Sequence, residues 1–88
     1  MCLGVPAQIV SIPDETQPRA LVSVAGVERM VATDLLVDAP SVGDWVLVHV
    51  GFALATLDAA EAAETLEAIR ALGTFDDEVA SFARTASQ

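Results

Sequence analysis

Apolar and polar positions alternate over the first two-thirds of the chain and then switch to a helical repeat, which predicts strands followed by a helix. From Gln8 to Ile12 β-branched residues alternate, and the proline-bounded polar stretch PDETQPR follows as a loop. Ala20, Val22 and Val24 share one face, and Val27, Arg29 and Val31 continue the pattern beyond Ala25-Gly26. That arrangement predicts a hairpin in which Gly26 supplies the positive φ of a tight turn. APSVGD is a further turn, and it launches WVLVHV, a nearly unbroken apolar run suited to a strand buried on both faces. Gly51 then allows a bulge or bend before the strand FALATL.

At Asp58 the period changes. Asp58 and Glu61 form a D-x-x-E capping signal, and Ala62, Leu66, Ile69 and Leu72 recur at helical spacing. Glu61, Glu64, Glu67 and Arg70 face water, and Gly73 ends the helix as its C′ residue. Beyond it, Phe75, Val79 and Phe82 stand three to four residues apart and suggest a short second helix. The expected organisation is one domain over residues 1–88. Residues 1–57 form a barrel with an N-terminal arm at 1–6, residues 58–73 form the helix, and 74–88 form a tail. Several short strands and a terminal helix give a mainly β fold class: a small OB-like β-barrel with a C-terminal α-helix on or beside it.

Composition narrows the functions such a barrel can serve. The chain is 53% hydrophobic, largely through Ala and Val, yet no uncharged run exceeds the thirteen residues of Trp45–Leu57. A membrane span needs about 18, so no membrane association is expected. The N-terminus lacks the positive charge of a signal peptide, and Pro6 interrupts its apolar stretch. A single cysteine leaves no internal disulfide and suits a reducing cytoplasm. With no lysine, four arginines and a net charge of −9, the chain repels phosphate backbones. An OB-fold nucleic-acid binder would need a basic groove and stacking aromatics, so nucleic acid is not an expected partner.

The chemistry available is sparse, because Cys2 is the only thiol and His49 the only imidazole. Cys2 reads either as a small buried hydrophobe or as a thiol that must reach something. Removal of Met1 would leave its thiolate beside a free α-amine, which lowers the thiol pKa and offers a five-membered chelate. Such a thiolate suits a soft or borderline metal. His49 reads either as a hydrogen-bonded core residue or as a second donor. One Cys and one His cannot close a tetrahedral metal site, so any metal held here needs ligands from another molecule. Gly4 would lend flexibility and Pro6 would fix φ where the arm meets the barrel. The alternative is an ordinary proline-led strand entry. A thiol enzyme with Cys2 as nucleophile and His49 as base would need a substrate pocket, for which this size leaves little room.

MCLGVPAQIV, GVERMV, VGDWVLVHVGFALATLDAAEA and ETLEAIRAL together resemble the HypC/HupF/HybG family of [NiFe]-hydrogenase maturation chaperones, from Met1 to about Gly73. MC-x-G-x-P and GDWVLVHVGFA carry most of the specificity. The resemblance implies an OB-like barrel with a C-terminal helix that is not an enzyme. It implies two partners, HypD and the hydrogenase large-subunit precursor, and a cargo, iron as the Fe(CN)2CO group, held transiently and shared with a partner. It also implies that Cys2 is the iron ligand and partner-contact residue, with His49 in a supporting metal or interface role. Pro6 matches the family proline that closes the arm. The expected partner-contact set is Cys2, Leu3, Gly4, Val5, Pro6 and His49. Ala7-Gln8 stands where many members have Gly-Lys, which removes a charge near the arm.

Overall fold

A computed structural model of the chain describes residues 4–73 together with 76, 77, 79, 80 and 82. Five strands and one helix follow in order: β1 (Val5–Ser11), β2 (Arg19–Val24), β3 (Val27–Ala32), β4 (Trp45–His49), β5 (Phe52–Leu57) and α1 (Ala59–Ala71). The strands close a barrel in the order β1-β2-β3-β5-β4, the ring expected of an OB-like fold. Neighbours are antiparallel except at the β3–β5 seam. That seam is a single parallel pairing of Ala32 with Phe52, supported by the Ala32 N–H donating to the Gly51 carbonyl at 2.9 Å.

Period-2 patterning fills the barrel. Val5, Ala7 and Ile9 point inward from β1, Ala20, Val22 and Val24 from β2, and Val31, Val46, Val48 and Ala53 complete the core. A five-stranded ring has a narrow interior, which is why its strands line it with Val, Ala and Ile rather than aromatic residues. Two bulges let so short a barrel curve: the register slips between Ile9 and Ser11 in β1, and opposite Leu47–Val48 in β5. The residues left over, Val10 and Leu54, turn outward and are exposed.

Three expectations change here. WVLVHV is not buried on both faces: Val46 and Val48 are buried, Trp45 and Leu47 are half-buried and His49 is exposed. Its neighbours are antiparallel strands, and an antiparallel sheet needs cover on one face only. The arm does not extend to Pro6. Gly4, Val5 and Pro6 are buried, and Val5 and Pro6 pair with Val48 and Leu47 inside the barrel wall. Gly51 marks neither bulge nor bend but the second residue of a two-residue hairpin loop.

The helix forms as its capping signal predicts. The Glu61 N–H donates to the Asp58 carboxylate at 2.7 Å, and the Asp58 N–H donates to Glu61 Oε1 at 3.0 Å. Gly73 follows the last turn at φ 76°. Ala62 and Ile69 are buried and Leu66 is half-buried as α1 packs on β1, β4 and β5. Leu72, placed on the same apolar series by its spacing, is instead 69% exposed because it caps the helix where α1 ends. Residues 76, 77, 79, 80 and 82 are helical, and Phe82 is buried in the barrel core cluster. The rest of the expected second helix, including Phe75, lies outside the described residues.

Candidate metal and partner site

Cys2 and Leu3 lie outside the described residues, so the site is built from what anchors them. Gly4 lies against the end of β4 at φ 155°, and a Cβ added there would meet the Val48 carbonyl oxygen at 2.6 Å. No side chain fits such an approach. The next residue, Val5, pairs with Val48, so this antiparallel register sets Gly4 alongside the Val48–His49 peptide. Glycine is therefore required at position 4 by a close backbone contact rather than by flexibility. Pro6 is tolerated within β1 because the pairings with β2 begin only at Gln8, leaving a neighbour on one side.

His49 is the last residue of β4 and faces Phe52 across the β4–β5 pair. Directly opposed residues share a face, and here both side chains are exposed, whereas Val48 and Ala53 one step along are both buried. His49 is thus a wet residue at a strand end, and the core role open to it in the sequence is not the one it takes. The loop that follows has positive φ at both positions, Val50 at 51° and Gly51 at 82°, the mark of a type I′ turn. The β2–β3 hairpin repeats it with Ala25 at 50° and Gly26 at 84°. For a β-branched residue this conformation costs about 1–3 kcal/mol.

Among the described residues, no group of three or more His, Cys, Asp or Glu side chains comes together to hold a metal. His49 by itself offers an imidazole nitrogen of the kind that borderline metals accept. Several of the described carboxylates stand on loops. Asp14, for example, sits in the β1–β2 loop, where hydrogen bonds from the Thr16 hydroxyl and N–H, at 2.6 and 2.9 Å, hold its carboxyl below the usual range. A groove of about 600 Å³ opens between the β1–β2 and β3–β4 loops, lined by residues such as Ile12, Arg19, Leu36 and Val42. Its lining includes neither Gly4 nor His49, so it gives a Cys2–His49 pair no enclosed substrate chamber.

The sequence reading named Gly4, Val5, Pro6 and His49, and the fold brings all four to the end of the barrel where β1 starts and β4 stops. It missed Val50 and Phe52, which flank Gly51 and expose apolar side chains beside His49. The signal was available: a two-residue x-Gly loop between apolar runs, as at Ala25-Gly26, marks a hairpin. No helix among the described residues is long and apolar enough to cross a membrane.

Comparison with known proteins gives this geometry a setting. The chain is 46% identical to the hydrogenase maturation factor HypC of Rhodobacter capsulatus, over 99% of this chain and 94% of that protein. It is 42% identical to the hydrogenase maturation factor HybG of Escherichia coli (strain K12), over 80% of this chain and 89% of that one. With HypC of the same strain it shares 44% identity over 80% of both. The HupF/HypC family model matches residues 1–69, which takes in both the arm and the His49 hairpin. The chain belongs to the HupF/HypC family of hydrogenase maturation factors, chaperones that are not enzymes.

Proposed function

We propose that this chain carries iron as the Fe(CN)2CO group during assembly of a [NiFe]-hydrogenase, binding HypD and the large-subunit precursor in turn. Cys2 and His49 are the proposed donors. The observation that supports this most is the seating of Gly4 on the Val48 carbonyl beside the exposed His49. Two residues span at most about 7 Å, so the tether keeps Cys2 in the neighbourhood of the chain's only imidazole. Loss of Met1 then places thiolate and α-amine on one residue, a bidentate donor for a borderline metal.

Each residue has a share in that task. Cys2 binds the cargo, His49 adds an imidazole donor or steadies the interface, and Leu3 contacts the partner. Gly4, Val5 and Pro6 are spent on the barrel wall and fix where the arm begins. Too few donors to close a site is an asset in a carrier, because the open positions let a second protein add ligands and take the group over. A reducing cytoplasm, where a lone thiol persists, is the fitting compartment.

The test is anaerobic co-purification of the full chain with HypD, followed by infrared spectroscopy for CN and CO stretches. Wild type is expected to show both bands, and Cys2→Ala is expected to fold, lose HypD and abolish hydrogenase maturation in cells. Full hydrogenase activity with Cys2→Ala would refute the central role given to the thiol. A stable complex without the bands would reduce the chain to a docking factor.

A further inference from the structure

The β4–β5 hairpin carries a residue that its turn disfavours. Both loop positions need positive φ, which Gly and Asn adopt readily and β-branched residues resist. Val50 is held there at φ 51°. Its side chain gains little inside the molecule in return, being 59% exposed and outside the core cluster of the described residues. The β2–β3 hairpin serves as an internal control, since the same pair of φ values is met there with Ala25. Among the described residues nothing repays the strain of this exposed isopropyl group, which makes it a candidate contact point.

The surroundings define that contact. His49 immediately precedes Val50, and Phe52 lies opposite His49 with 43% of its surface exposed. No charged residue occurs between Trp45 and Leu57, although the chain as a whole carries −9. The hairpin end is therefore an uncharged apolar tip on a strongly acidic molecule.

We propose that Val50 and Phe52 form a docking tip that enters an apolar pocket on the protein completing the metal-ligand set around Cys2 and His49. This rests on the shared-metal reading above. A chain that reaches a metal at His49 must also cover the adjoining turn, because successive Cα atoms are only about 3.8 Å apart. The receiving pocket is apolar where it meets Val50 and Phe52, and it is rimmed by Lys or Arg that complement the chain's net charge of −9.

The experiment compares full-length wild type, Val50→Gly, Val50→Ile and Cys2→Ala. Each is measured for melting temperature alone and for anaerobic capture of HypD and of the large-subunit precursor. Val50→Gly relieves the turn and removes the tip, so its melting temperature is expected to rise by about 4 °C while its capture weakens about tenfold. Val50→Ile, which keeps an apolar branched tip, is expected to retain wild-type capture. Stability up with affinity down is a combination that a purely structural residue does not give. Unchanged capture by Val50→Gly, or a lowered melting temperature, would overturn the docking tip. Loss of capture by Cys2→Ala in the same series would leave the shared-metal reading standing. Wild type that captures neither partner would overturn that reading and the tip with it.

Discussion

A methyl group at position 4 would meet a backbone oxygen, which cannot swing aside as a flexible side chain can. Gly4→Ala must push β1 away from β4 where Val5 pairs with Val48, and it adds the strain of an unfavourable φ. The expected loss is about 2 to 4 kcal/mol, seen as a lower urea midpoint. His49 should behave in the opposite way. Its side chain is exposed, so His49→Ala is expected to change unfolding stability by less than about 0.5 kcal/mol while reducing hydrogenase maturation in cells. Full maturation with that variant would remove His49 from the site. These two residues also show where sequence reading stops. The residue types MC-x-G-x-P and VHVGFA are visible in the chain, but the contact that makes Gly4 obligatory joins positions far apart along it. The exposure of His49 was hidden by the apolar run around it, which reads as continuous burial until the hairpin register is known.

Elements were more legible than residues. The D-x-x-E signal and Gly73 bracket α1 to within a residue or two because capping is local chemistry, decided by side chains within three positions of the backbone they serve. Asp58→Ala removes the acceptor for the Glu61 N–H and leaves Glu61 to cap alone. It is expected to cost about 1 kcal/mol, measured by thermal unfolding and by reduced helical circular dichroism. The β2–β3 hairpin was equally readable, since Ala25-Gly26 sits between two cleanly alternating strands. The β4–β5 hairpin uses the same turn and the same x-Gly signal, but its flanking strands form one apolar run without clean alternation, so the signal is easier to pass over. The bulges in β1 and β5 left no sequence mark at all, because a bulge is a difference between two strands rather than a property of either.

For the molecule as a whole, the barrel and its C-terminal helix follow from pattern and length, but what closes the core does not. Phe82 lies beyond α1 and beyond the residues that match the family model, yet it is 4% exposed among the barrel valines. Phe82→Ala is expected to destabilise by about 3 kcal/mol, measured by urea unfolding. Full stability in that variant would show that the tail is dispensable. The ring also imposes an order on synthesis. Gln8, Ile9 and Ser11 find β2 early, but Val5, Pro6 and Ala7 pair only with β4, at Val48, Leu47 and Val46. The ribosome must therefore add about 40 residues, some 2 to 8 seconds of elongation, before the start of β1 has a strand to join. During that interval the edge that Val5, Pro6 and Ala7 will give to β4 stays unpaired, so the nascent sheet keeps an open, pairing-competent edge until Val46–Val48 have been added.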